Sequence, residues 1–82
     1  MLATVEVHIV HTYRGDLKID LVAPDGTTYN LKASNGSDGG SDVNATYPAV
    51  LITEATNGTW RLKVQDMYAW DSGYIDSWTL SV

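Results

Sequence analysis

VEVHIVHTYRGDLKIDL, residues 5–21, decides how the chain is read. Val5, Val7 and Ile9 alternate with Glu6 and His8, and Leu17, Ile19 and Leu21 alternate with Lys18 and Asp20. Side chains of an extended strand point to opposite faces in turn, so both runs predict strands with one apolar face. The polar stretch between them carries Arg14-Gly15-Asp16. As a tripeptide this is a cell-adhesion signal. As geometry it is a hairpin corner, with Gly15 permitting a tight turn and Asp16 serving backbone amides or a metal. The corner is the favoured reading.

The same period continues outward. Pro24-Asp25-Gly26-Thr27 is a turn, and Tyr29 and Leu31 mark a short third strand. Residues 34–46, SNGSDGGSDVNAT, consist almost wholly of turn formers and read as a loop. A fourth strand is placed near 47–53, with Pro48 suited to a strand start or an edge. Asn57-Gly58 signals a turn. Trp60, Leu62 and Val64 form the fifth strand, and residues 67–73 a loop. Ile75, Trp78, Leu80 and Val82 carry the sixth. The alternation slips between Ile75 and Trp78, which predicts a bulge. No stretch has helical periodicity. The expected fold is all-β, an antiparallel sandwich in one domain over residues 1–82.

A chain of 82 residues has a thin core, and without cysteine no disulfide reinforces it. Ten acidic and five basic side chains leave a formal charge of −5. That argues against nucleic acid and anionic membranes as partners, since both need a Lys/Arg-rich face. No apolar run approaches the roughly 20 residues of a spanning helix. The opening MLATVEVHIV lacks the basic start and small-residue cleavage site of a signal peptide, and is expected to be part of a longer chain.

If successive strands alternate in direction, connections 11–16, 33–46 and 67–73 share one end, and 24–27 and 54–58 the other. The first end then collects Asp16, Asp38, Asp42, Asp66 and Asp71, with Arg14 as the only nearby offset. Asp25 and Glu54 go to the second end, and Glu6, Asp20 and Asp76 lie within strands. The crowded carboxylates could bind Ca²⁺, which takes about 6–8 oxygen ligands. They could equally face water or accept from loop amides as Asx-turns. Composition leaves both readings open.

His8 lies on the polar face of the first strand; His11 sits at the corner, where its ring could bond a loop carbonyl. Neither has the partners of a zinc site. No G-x-S-x-G elbow is present, and short strands offer no deep cleft, so catalysis within these residues is not expected. Asn35, Asn44 and Asn57 each begin a glycosylation sequon, a pattern that turn-rich sequence also produces by chance. Trp60 and Trp78 are assigned to apolar faces. Tyr68 and Trp70, in a loop, are either a contact patch for a protein, glycan or surface, or packing against the rim.

VEVHIVHTYRGDLKIDLVAPDGTTYNL, a variable polar loop and NGTWRLKVQDMYAWDSGYIDSWTLSV together resemble the P domain, or Homo B domain, of proprotein convertases and secreted bacterial proteases. The pattern falls on His11, Gly15, Asp16, Leu17, Pro24, Gly26, Gly58, Trp60, Leu62, Val64, Asp66, Gly73, Trp78 and Leu80. The resemblance implies a jelly-roll-like sandwich that is itself non-catalytic. It would support the folding and stability of a secreted catalytic domain in the same chain, usually subtilisin-like and sometimes a zinc metalloprotease, and influence calcium dependence. Members usually carry one or two strands before the position of Val5. Their lack here implies an open sheet edge, to be filled by an upstream segment, a swap or self-association.

Overall fold

The computed structural model describes residues 2–51, 57–68 and 72–82. The fold is all-β, two antiparallel sheets packed face to face. The strands are β1 (Leu2–His11), β2 (Leu17–Val22), β3 (Thr28–Lys32), β4 (Val43–Val50), β5 (Arg61–Asp66) and β6 (Gly73–Ser81). One sheet has the order β4-β1-β6 and the other β3-β2-β5. The two strands of the opening stretch are thus the two central strands.

Their alternation explains the core. Ala3, Val5, Val7 and Ile9 of β1 face Leu17, Ile19 and Leu21 of β2, joined by Val43, Ala49 and Leu51. Val5, Val7, Ile19 and Leu21 are wholly removed from water. Fully burying a Val, Leu or Ile side chain contributes about 1.5–3 kcal/mol, so these central strands hold most of the hydrophobic stabilisation.

The residues between β1 and β2 do not make a hairpin corner. The two strands lie in different sheets, and a 3₁₀ turn, Arg14–Asp16, carries the chain across. The apolar faces of the two strands meet each other across the core, which pairing side by side within one sheet would not allow. By contrast, residues 23–27 do form a hairpin between β2 and β3. There Thr27 N–H donates to Asp25 Oδ1 at 2.9 Å and Gly26 adopts φ of 90°.

The fourth strand begins at Val43 rather than near residue 47, because Asn44 and Val43 pair with His8 and Ile9 of β1. Long-range pairing overrides the local turn-former composition. Residues 52 and 53 lie outside the described residues. Pro48 sits in the ladder opposite Thr4 on a strand paired on one side, where its missing N–H is tolerated. β6 starts earlier than expected, with Gly73 opposite His11, and ends before Val82. The expected bulge is present: Ile75 pairs with Ile9 and Ser77 with His8, leaving Asp76 as the extra residue.

The two flanks of the sandwich differ. β3 and β4 approach each other and close one flank. On the opposite flank β5 and β6 border a cavity of about 210 Å³ lined by Ile9, His11, Leu17, Val64 and Ile75 among others. Inward-facing Trp60, Leu62, Val64, Trp78 and Leu80 are only half-buried, and Ile75 is 42% exposed.

Candidate functional site at the acidic pole

The connections 12–16, 33–42 and the residues after β5 converge at one pole. Gly15 N–H donates to Asp38 O at 3.1 Å, Asn35 N–H to Gly15 O at 2.7 Å, and Met67 N–H to Asp16 O at 2.8 Å. Gly15 is required by close approach: a Cβ there would overlap the carbonyl oxygens of Asn35 and Asp38. Gly15 and Asp16 are both buried, so the Arg14-Gly15-Asp16 tripeptide is not displayed to a receptor. The opposite pole holds residues 24–27 and Gly58, which packs against Pro24.

His11 is the centre of the pole and is 4% exposed. Its ring meets an amide and a carboxylate rather than a loop carbonyl. Tyr13 N–H lies 3.1 Å from Nδ1, and an amide can only donate, so Nδ1 keeps its lone pair. The ring proton is therefore on Nε2, which donates to Asp66 Oδ2 at 2.9 Å. Around the same residue, His11 N–H donates to Asp42 Oδ1 at 3.0 Å and Asp42 N–H returns a bond to His11 O at 2.9 Å. Asp42 occupies the left-handed region, φ 62°, to make this exchange. Gly73 is pressed on His11 from β6, where a Cβ would overlap Val10 O.

The structure gives the other described acids expected at this pole their surroundings. Asp38 accepts from Arg14 Nε at 2.9 and 3.0 Å and from Gly40 N–H at 3.3 Å. The guanidinium holds the Asp38 carboxyl below its usual range, and the carboxylate raises Arg14 in turn. Asp66 Oδ1 accepts from Tyr68 N–H at 3.3 Å, an Asx-turn. Asp16 and His11 are buried and Asp66 is exposed, and one ligand atom of each lies within 4.8 Å of the others. Asp71 and Trp70 lie outside the described residues.

Arg14 is not the only cation here. Lys32 Nζ donates to Arg14 O and Leu17 O at 2.9 Å and to Ala33 O at 3.3 Å, closing off carbonyls of the 3₁₀ turn. Burial lowers its pKa. The signal for Lys32 was weak, because it lies on a strand distant in sequence and reaches the pole only through the β2–β3 register.

The His11–Asp66 pair is two parts of a Ser-His-Asp arrangement, yet the geometry does not make a base. A general base presents a free nitrogen lone pair to the nucleophile. In His11 that lone pair receives the Tyr13 amide, and the other nitrogen is spent on Asp66. The same bonds leave no imidazole nitrogen for a metal. Tyr68, 52% exposed, joins Tyr13, Gly36 and Asp16 around a shallow depression of about 240 Å³. Tyr13 OH donates to Gly36 O at 2.5 Å on its rim. Trp60 and Trp78 pack half-buried against the core on the β5/β6 flank.

The family model of the proprotein convertase P-domain matches residues 2–82. Three relatives are similar over nearly all of the chain. The Transglutaminase-activating metalloprotease of Streptomyces mobaraensis is 56% identical over 77 residues, 94% of this chain and 10% of the relative. Leupeptin-inactivating enzyme 1 of Streptomyces exfoliatus is 52% identical over 77 residues, again 94% of this chain and 17% of the relative. The Extracellular basic protease of Dichelobacter nodosus is 35% identical over 80 residues, 95% of this chain and 13% of the relative. The chain therefore spans less than a fifth of each of these relatives. No solved structure matches it. The match of the whole described sandwich, with His11, Gly15, Asp66 and Gly73 locked together at one pole, makes this chain a member of the proprotein convertase P-domain family.

Proposed function

We propose that this domain is a non-catalytic accessory module of a secreted endopeptidase, covalently joined to the catalytic domain whose folding and stability it supports. The observation that carries this reading is the half-open β5/β6 flank. Leu62, Val64, Trp78 and Leu80 point toward the core yet keep contact with water. Edge strands with apolar inner faces call for a cover, and a neighbouring part of the same polypeptide is at high effective concentration. The relatives are proteases in which the matching region is a small part. The resemblance points first to a subtilisin-like serine enzyme, while the 56% identical relative, a metalloprotease, draws the reading toward that class.

Calcium dependence, which the family resemblance implies, is not part of the proposal, because of the chemistry of the donors. Ca²⁺ binds oxygen, and His11 offers the cluster only nitrogen. Asp38, Asp42 and Asp66 already accept from a guanidinium, amides and an imidazole. These donors do not fit a calcium cage; they support the reading in which the pole is held by its own hydrogen bonds.

The test is deletion of residues 2–82 from the full-length protease. Yield of folded enzyme and its thermal half-life should fall, while turnover per correctly folded active site persists. Unchanged yield and half-life, or peptide hydrolysis by the isolated domain, would overturn the reading. A second reading is an independent module for a protein, glycan or surface. The Tyr13/Tyr68 depression favours it, and glycan or protein binding lost in Tyr68→Ala would establish it.

A further inference from the structure

Asn35-Gly36 and Asn57-Gly58 are chemically alike: each places a peptide nitrogen borne by a Cα without a side chain after an asparagine. In such a pair the glycine nitrogen can attack the preceding side-chain carbonyl, because no Cβ obstructs its approach. The fold treats the two sites differently.

Asn35 is clamped. Its N–H donates to Gly15 O at 2.7 Å, its carbonyl accepts from Asp38 N–H at 3.0 Å, and its Oδ1 accepts from Ser37 N–H at 3.0 Å. The following carbonyl, of Gly36, accepts from Tyr13 OH. Asn35, Gly36 and Ser37 are as exposed as the second site, so the restraint is hydrogen bonding and not burial: rotating the Asn35 side chain toward Gly36 N means breaking the Ser37 bond. Asn44, the third sequon asparagine, is also held, with Oδ1 2.7 Å from His8 Nδ1, and alanine follows it.

Among the described residues, none of these restraints acts on Asn57. It lies at the opposite pole in a bend, and Asn57, Gly58 and Thr59 are all exposed. Among the described residues, no hydrogen bond engages the Asn57 side chain or the Gly58 amide. Gly58 holds φ of 119°, a conformation in which only glycine is comfortable.

We propose that Asn57 is the site of spontaneous covalent modification in this domain, by succinimide formation and hydrolysis. Gly58 N forms a bond to Asn57 Cγ and loses its proton; the Cγ–Nδ2 bond breaks and ammonia leaves. Water then opens the five-membered imide at either carbonyl, giving aspartate or isoaspartate. The first product adds a carboxylate to a pole where Asp25 is the described acid. The second also lengthens the backbone by one carbon at the entrance to β5, and both products abolish the Asn57 sequon.

The experiment is incubation of the full chain in mildly alkaline buffer, then digestion and peptide mass spectrometry with chromatographic separation of the two acid products. Each hydrogen bond holding Asn35 slows its reaction, so Asn57 should convert about tenfold faster or more. A parallel incubation in denaturant separates fold from local sequence, and there the two rates should converge. Equal rates in the folded chain, faster reaction at Asn35, or a difference that survives denaturation would each overturn the proposal.

Discussion

His11 Nε2 donates to Asp66 Oδ2 across 2.9 Å, tying the end of the first strand of one sheet to the end of the fifth strand in the other. The residues are 55 apart in sequence, and His11 is buried while Asp66 is partly exposed. This bond closes one end of the sandwich without any disulfide.

Removing one partner should therefore be costly. His11→Ala leaves the Tyr13 amide and one Asp66 oxygen without their bonds, and the expected loss is about 1–3 kcal/mol. Asp66→Ala should cost a similar amount. In a double-mutant cycle read by urea denaturation the pair should show coupling of about 0.5–3 kcal/mol. Strict additivity would refute the linkage.

Gly15→Ala places a methyl group against the backbone oxygens of Asn35 and Asp38, which have no flexible side chain to move aside. Destabilisation of about 1–3 kcal/mol is expected, measured by thermal or urea unfolding. Gly26→Ala serves as the contrast: it has positive φ but nothing within 4 Å, so only backbone strain opposes it. If Gly15→Ala proved as stable as the parent, the close-packed turn would be wrong.

Two surface groups predict opposite pH dependence. Asp38 has a lowered pKa because Arg14 hydrogen-bonds its carboxylate. Its contribution is present above the unfolded carboxyl pKa and lost as pH falls through the folded one. His8 has a raised pKa, first from its bond to Asn44 and then from Glu6. Its contribution is complete below the unfolded histidine pKa and lost as pH rises through the folded value. Asp38→Asn should flatten the acid limb of a stability profile, and His8→Gln the limb near neutrality. A profile unaltered by either change would remove both assignments. Both groups are solvent-screened, so the effects are small.

Calcium should leave the melting temperature unchanged. Asp38, Asp42 and Asp66 are already engaged by internal donors, and a ligand stabilises only by binding the folded state. Coincident melting curves in Ca²⁺ and in EDTA are the expected result. A rise in Ca²⁺ that EDTA reverses would show that the pole rearranges to take the ion.

Period-two alternation at Val5, Val7, Ile9 and at Leu17, Ile19, Leu21 was enough to establish an all-β fold and its apolar faces. That holds because strand side-chain direction is a local property of the backbone. The broken spacing of Ile75 and Trp78 likewise foretold the bulge at Asp76. Strand direction alone also gathered Asp16, Asp38, Asp42 and Asp66 at one pole. Which strands pair was beyond local pattern: β1 and β2 lie side by side in sequence yet in different sheets. The start of β4 at Val43, the arrival of Lys32 at the turn and the tautomer of His11 all follow from contacts between distant segments. Sequence determined what each residue offers chemically; only tertiary packing decided who receives it, because hydrogen bonds and burial depend on neighbours that local periodicity does not specify.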